Sequence, residues 1–450
     1  MPTQLELPTE ILLSIFRYLD DLDDVFHLAR SCRQLHDVLE GSGNRLHVFR
    51  SVITNAPHHR YDVDLSRHLQ LYGNFEPYYV TWSRDRPPLS ARPTPADIFN
   101  SHVQRADPLP EDMVWSIVCR WQGLHLLYQL YCHPPLRTLY FRSRPPDWLG
   151  SDSAEEECNL TETDRLVEPI VTSQGDVSLD VGAVCPGQNR RSYQRFYQAL
   201  TAQWLAVEML WLARISVYDT PSDQNRYFVQ VWKIWSDNRS RTLQEKLDVL
   251  EIFDFVWSFL GRKSFESIAR EWDRLTGEYT RLEDGGDDFR SAHRPGCMRA
   301  VTQYLRPPNI IELFLCSTRR PSHSWSIKRL QYLRTLGFFD EKNGICRRLD
   351  GSESSDFRWW WYCPVNLLEH DVLVGIQTSI DPNSCPASDI VLEYVWGTYR
   401  HTAWDFDAKG HIFFREETSE RIFSRMAKTL APHLRSHLSN LDNDVNVPAD

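Results

Sequence analysis

The sequence has no long apolar run and no excess of positive charge. Its most apolar stretch, residues 204–213, contains Glu208 and is followed by Arg214, so it is too short and too charged to cross a bilayer and is predicted to form a buried helix. The 450 residues carry a formal net charge of −11, whereas nucleic acids and anionic membranes attract an excess of Lys and Arg. We therefore expect no nucleic-acid partner and no membrane partner.

Paired cysteine motifs are also missing. The ten cysteines are spread between Cys32 and Cys385 without a C-x-x-C pair, and His293 and Cys297, which come nearest to a cluster, lack two further ligands close in sequence. The N-terminus lacks the basic and apolar segments of a secretory signal. These absences predict buried free thiols, no metal site, and a protein of the cytoplasm, the nucleus or both.

The motifs of the common enzyme classes are absent, including the Gly-rich phosphate loop, G-x-S-x-G, H-E-x-x-H and the kinase set. Asp20, Asp21, Asp23 and Asp24 form a D-D-x-D-D run that is superficially like the magnesium-binding aspartates of isoprenoid cyclases. A second metal-binding set on a facing helix is missing, and aspartates favour helix N-caps and first turns. We interpret the run as helix capping and predict no catalytic residue, no cofactor and no enzyme.

Three short helices are predicted within residues 7–39. Pro8 suits a first helical turn, and Asp20 or Asp21 is expected to cap a second helix. The apolar positions at helical spacing are Ile11, Leu12, Ile15, Phe16 and Leu19, then Val25, Leu28, Ala29 and Cys32, then Leu35, Val38 and Leu39. Helices this short cannot bury all of that surface among themselves, so some of it is expected to form a docking face.

The order of these features resembles the F-box. The matching features are Leu7-Pro8, Glu10, Ile11-Leu12, Ile15-Phe16, Leu19, Leu22 with acidic neighbours, Leu28, and Cys32-Arg33 before Leu35. The resemblance covers residues 5–45, and the tryptophan that commonly closes the family pattern is not found between Leu39 and Val52. It implies a mainly α fold, with a three-helix F-box followed by a large irregular helical domain. A short F-box followed by a Trp-rich helical body without repeats, which here means the rest of the chain, resembles uncharacterised F-box proteins of filamentous fungi.

The resemblance implies a non-catalytic module that binds a Skp-type adaptor and, through it, a cullin. The residues that it assigns to the adaptor face are Leu7, Pro8, Ile11, Leu12, Ile15, Phe16, Leu22 and Val25. Leu19, Leu28 and Leu35 are expected to hold the helices together. The implied function is that of a substrate receptor of a ubiquitin ligase, which recruits an unknown protein through its C-terminal domain. The alternative is an adaptor-bound scaffold that does not support ubiquitination.

The rest of the chain is predicted to be helical without leucine-rich, WD, kelch or ankyrin repeats. Residues 46–110 are predicted to form an irregular connection with short helices, such as one at 96–105, because 55–110 are rich in Pro, Arg and His. Residues 111–438 predict a Trp-rich recruiting domain, interrupted by a disordered acidic loop at about 145–190 and followed by a disordered tail at 439–450.

Two local features of this body carry specific predictions. Thr242 and Glu245 have the spacing of a capping box, and Gly261 suits a helix C-cap. Three consecutive tryptophans, Trp359, Trp360 and Trp361, cannot all face one core on a helix, so they predict a patch that contacts a partner.

Overall fold

The computed structural model describes residues 7–41, 43–80, 108–133, 190–215, 241–261 and 305–318, together with the single positions 136, 140, 231, 264 and 371. Helices make up most of this part of the chain, and no strand occurs within it. The predicted mainly α fold is confirmed. Three predictions fall on residues outside those that the structure describes. They concern the acidic loop, the patch of Trp359, Trp360 and Trp361, and the tail.

The N-terminal segment forms the three predicted helices. They are α1 (Thr9–Arg17), α2 (Leu22–Ser31) and α3 (Arg33–Glu40). Pro8 is the N-cap residue of α1. Asp21 caps α2, because its side chain accepts a 2.7 Å hydrogen bond from the backbone N of Asp23, and Asp23 and Asp24 lie in the first turn. The capping interpretation of the aspartate run is confirmed.

A further helical pair follows where an irregular connection was expected. Helix α4 (Asn44–Asn55) is followed by a short 3-10 helix (Pro57–His59) and by α5 (Asp62–Val80). Gly43 adopts φ 80°, a left-handed conformation that lets the chain reverse between α3 and α4. The buried side chains of α4 are Val48, Phe49, Val52 and Ile53, which have helical spacing. The prediction for residues 46–80 was wrong because it rested on the composition of 55–110 and passed over this local period.

The central element of the body is α7 (Arg190–Ile215), a long helix whose middle part is buried. Helix α6 (Glu111–Cys132) and the 3-10 helix pack against α7, which also contacts α5 and α8 (Leu243–Phe253). The side chains at 199–210 on α7 are all buried. A helix with no polar face belongs inside a protein, and the buried helix predicted at 204–213 is confirmed over its described side chains.

Helix α8 begins with the predicted capping box. The backbone N of Thr242 donates to Glu245 Oε2 at 2.8 Å, and the backbone N of Glu245 donates to Thr242 Oγ1 at 3.2 Å. These reciprocal bonds satisfy two N–H groups that a helix N-terminus leaves unpaired. The prediction is confirmed.

The last turns of this region differ from a regular α-helix. Residues Asp254–Gly261 continue α8 as a π-helix, which packs against α9 (Pro307–Thr318). Gly261 does not have the left-handed conformation of a typical C-cap glycine, because Gly43 is the only residue with positive φ in the described part of the chain. A Cβ on Gly261 would lie 3.1 Å from the carbonyl oxygen of Val256 and 3.4 Å from Ile310 Cδ1, so this glycine avoids crowding within the π-helix where α9 lies against it.

The thiols follow the prediction only in part. Of the cysteines in the described residues, Cys132 is buried as predicted, whereas Cys32 and Cys119 are exposed. The burial prediction was wrong for Cys32, which stands between α2 and α3, and for Cys119, which lies on the exposed face of α6 with Ser116. Within the described ranges, no helix is long and apolar enough to cross a membrane, and no group of His, Cys, Asp and Glu is arranged to hold a metal ion.

Candidate functional site

Helix α1 presents an exposed apolar row to solvent. Leu7, Ile11, Ile15 and Tyr18 are 40%, 49%, 40% and 90% exposed, and they are the large exposed hydrophobic side chains of the described residues. Ile11, Ile15 and Tyr18 follow one another at i, i+4 and i+7, so they share one helix face, and Leu7 stands two residues ahead of the helix. We call these four residues the α1 stripe.

The other face of α1 is part of the core. Leu12 and Phe16 are 5% and 0% exposed, and α1 packs against α4 and α3. Both ends of the segment are also tied down, because Gln34 Nε2 donates to the carbonyl oxygen of Leu7 at 3.3 Å and Ser51 Oγ donates to that of Arg17 at 3.3 Å. The stripe is therefore carried by an element that is anchored on its opposite side.

The structure divides the predicted adaptor face into two sets. Leu7, Pro8, Ile11 and Ile15 are exposed together, whereas Leu12, Phe16, Leu22 and Val25 are buried in the protein's own core. The prediction that the second set contacts a partner directly is corrected: these side chains pack within the chain itself. The reason is geometric, since consecutive residues on a helix point about 100° apart.

The structure adds Tyr18 to the exposed set. The i+3 spacing of Tyr18 from Ile15 was the sequence signal that could have found it. Leu19, Leu28 and Leu35 are partly buried and pack against the core, as the resemblance implied.

Helix α2 carries a carboxylate that contacts the body. Asp23 Oδ1 accepts hydrogen bonds from Trp121 Nε1 and Gln122 Nε2, each at 3.0 Å, and His125 Nε2 lies 3.0 Å from Asp23 Oδ2. Partial burial by itself would raise the pKa of Asp23, but the interactions with His125, Trp121 and Gln122 together outweigh burial and hold that pKa below its ordinary value of 3.8. Asp23 therefore remains a charged acceptor between α2 and α6.

A second polar cluster lies inside the body. Asp62 Oδ2 is 2.6 Å from His59 Nδ1, and Asp62 Oδ1 accepts from Arg120 Nη1 at 2.6 Å and from Tyr197 OH at 2.8 Å. Arg120 Nη2 also donates to Ser66 Oγ at 2.9 Å. The side chains of His59 and Asp62 have no solvent-exposed surface.

The chemistry of this cluster is that of a buried ion pair. Burial would raise the pKa of Asp62, but its contacts with His59 and Arg120 lower that pKa below 3.8. Burial also raises the pKa of Tyr197 well above 10.0, so its hydroxyl stays protonated and donates to Asp62. Because the cluster is closed to solvent and the Asp62 carboxylate is paired with His59, Arg120 and Tyr197, we interpret it as structural, although His59 Nε2 has no hydrogen-bond partner among the described residues.

Comparison with known proteins bears on the N-terminal segment alone. Residues 4–42 match the family model described as F-box-like. No curated protein and no solved structure matches this sequence. The α1 stripe thus lies within an F-box-like domain at the N-terminus, which confirms the family resemblance for that segment. The likeness of the body to fungal proteins stays a prediction.

Proposed function

We propose that this protein binds a Skp-type adaptor through the α1 stripe. The observation that carries the proposal is the row of exposed apolar side chains on α1, inside a segment that matches the F-box-like family. Adjacent apolar side chains left in water are typical of a surface that a partner covers. Pro8 is exposed beside Leu7 and extends the same surface.

The size of the stripe is compatible with specific binding. Ile11 and Ile15 are each close to half exposed, so covering the remaining surface of either side chain stabilises a complex by about 1 kcal/mol. Tyr18 adds a ring with a polar hydroxyl, which suits the edge of an interface. These contributions come without a folding cost, because α1 is already packed against α3 and α4.

The wider role follows from what F-box-like domains do. We propose that the adaptor links this chain to a cullin, and that the body between 111 and 438 recruits a protein for ubiquitination, with Trp359, Trp360 and Trp361 as a candidate contact patch. On this proposal the chain is a receptor and not an enzyme, and it acts in the cytoplasm, the nucleus or both.

The first test is co-purification of the full chain with a Skp adaptor. We expect the wild type to retain the adaptor and an Ile11→Ser, Ile15→Ser double variant to lose affinity by about tenfold or more, because two apolar contacts are replaced by hydroxyls. Circular dichroism checks that the variant keeps its helical content, which exposed substitutions should preserve.

A matched control is available on α6. Ser116 and Cys119 are exposed on that helix and lie outside the family match, so a Ser116→Ala, Cys119→Ser double variant should bind like the wild type. Equal retention of adaptor by the stripe variant, or no binding by folded wild type, would contradict the proposal.

A second experiment separates a receptor from a scaffold. The adaptor-bound chain is mixed with a cullin, its RING subunit and the ubiquitin-charging enzymes. Ubiquitin transfer to a protein that the body captures supports the receptor function. Adaptor binding without cullin assembly favours the scaffold.

A further inference from the structure

The F-box-like segment is joined to the body by side-chain contacts as well as by the chain between them. Trp121, Gln122 and His125 lie at i, i+1 and i+4 on α6 and converge on the carboxylate of Asp23. These partners are 98, 99 and 102 residues away in sequence. A carboxylate that accepts several such bonds makes a stronger contact than neutral pairs do.

Asp21 makes a second contact from the same turn. Its Oδ1 caps α2, while its Oδ2 accepts a 2.8 Å hydrogen bond from Gln194 Nε2 on α7. Asp21 is 1% exposed. Capping explains one oxygen of Asp21 only, and it explains none of the three body contacts of Asp23. The two carboxylates therefore do more than start a helix.

An aromatic row connects the two regions beside these carboxylates. The ring of Phe26 on α2 lies 5.4 Å from that of Phe49 on α4, and the Phe49 ring lies 5.6 Å from that of Trp115 on α6. The guanidinium of Arg45 lies 5.5 Å from the Trp115 ring. Through these rings, α4 contacts both the F-box-like segment and α6. Few contacts of this kind cross the boundary between independent domains.

We propose that Asp21 and Asp23 form a joint that makes the F-box-like segment and the body one cooperative unit. The joint holds the α1 stripe in a set orientation relative to the body. It works through hydrogen bonds from α6 and α7, so loosening the body side loosens the N-terminal helices. The proposal concerns the chain alone and does not depend on adaptor binding.

The test changes the body and measures the N-terminal helices. A Gln122→Met, His125→Phe double variant of the full chain removes donors to Asp23 and retains the side-chain volume. It also retains a ring against Tyr193, whose centroid lies 3.7 Å from that of His125. By hydrogen–deuterium exchange, we expect the amides of α1, α2 and α3 to exchange about tenfold faster than in the wild type.

The Ser116→Ala, Cys119→Ser variant is the control on the same helix, and it should leave that exchange unchanged. The proposed joint would be contradicted if the amides of α1 to α3 exchange at the wild-type rate in the double variant, or if their exchange is accelerated equally in the control. Adaptor binding by the double variant should persist, because the stripe is untouched, which separates failure of the joint from failure of the proposed function.

Two further variants, changed on the N-terminal side and measured on the body side, test the joint if the double variant does not fold. Asp23→Asn should accelerate exchange within α6, whereas Asp37→Asn should not, because Asp37 is exposed and its contacts with Arg33 and His36 stay within α3. Acceleration confined to α2 in Asp23→Asn would mean that Asp23 only supports its own helix, and would overturn the joint.

Discussion

At the scale of single residues, Ile15 and Phe16 have opposite surroundings although they are neighbours in sequence. Ile15 is exposed on the α1 stripe, whereas Phe16 is fully buried against the core. The sequence pattern assigns both residues to the same set of apolar positions at helical spacing, and so it does not distinguish them. The difference decides which of them can meet a partner and which stabilises the fold.

Replacing these two residues should separate binding from stability. Phe16→Ala is expected to lower the free energy of unfolding by about 3–5 kcal/mol, because it leaves a cavity in a closed core. Ile15→Ala should change it by less than about 1 kcal/mol, since that side chain is already partly in water. Urea denaturation followed by circular dichroism measures both. Similar losses from the two substitutions would mean that α1 is not packed in this orientation.

At the scale of elements, two glycines on helices have opposite surroundings. Gly123 lies in the middle of α6 and is exposed, and a Cβ added there would meet nothing within 4 Å. Gly261 ends the π-helix, and its Cβ would lie 3.1 Å from the carbonyl oxygen of Val256 and 3.4 Å from Ile310 Cδ1. Helix propensity is therefore the only relevant effect at Gly123, whereas packing dominates at Gly261.

Alanine at these positions should shift stability in opposite directions. Gly123→Ala is expected to stabilise the protein by about 0.5–1 kcal/mol, because alanine has less backbone entropy to lose in a helix. Gly261→Ala is expected to destabilise it by about 1–3 kcal/mol, since the new Cβ would crowd the carbonyl oxygen of Val256 within the π-helix. Thermal unfolding of the two variants and the wild type tests this. A higher midpoint for Gly261→Ala would refute this crowding.

At the scale of the whole molecule, ionic contacts connect helices that are distant in sequence. The Asp62 cluster joins the 3-10 helix and α5 to α6 and α7 through His59, Arg120 and Tyr197. Other pairs connect the remaining elements, namely Arg60 with Glu245, Arg195 with Asp248, and Glu208 with Arg306. Where such a pair is buried, as Asp62 and Arg120 are, it defines which helices are neighbours, because a mismatched partner would leave a charge unpaired.

The Asp62 cluster predicts a pH dependence of stability. The folded-state pKa of Asp62 lies below its ordinary value of 3.8, so its carboxylate stabilises the fold above that value, and the stabilisation is lost as pH falls through the folded-state pKa. At about pH 7, Asp62→Asn should cost about 3–5 kcal/mol, because Arg120 remains buried without its counter-charge.

Urea midpoints of wild type and Asp62→Asn at several pH values measure this effect. The difference between the two proteins should be constant near neutrality and shrink below about pH 4. Asp37→Asn, at an exposed carboxylate of α3, serves as the control and should differ little from the wild type at any pH. A gap for Asp62→Asn that stays constant into acid would contradict the ionised, buried carboxylate.

Much of the fold could be predicted from local sequence. The three N-terminal helices, the cap at Asp21, the capping box of Thr242 and Glu245, and the buried helix at 204–213 all follow from interactions within a few residues. Such interactions repeat at fixed spacings, which is why they can be recognised without a structure. The match of residues 4–42 to the F-box-like family has the same origin, since the family pattern is a set of spacings.

By itself, therefore, the sequence determined that the described part of the chain is helical and that an F-box-like segment lies at residues 4–42. Only the tertiary structure decided that Leu12, Phe16, Leu22 and Val25 face inward, and that Asp23 meets α6 across about a hundred residues of chain. The physical reason is that helical periodicity defines which residues share a face but not which face is covered. That choice depends on how all the elements pack, because each buries its apolar surface against partners that are distant in sequence.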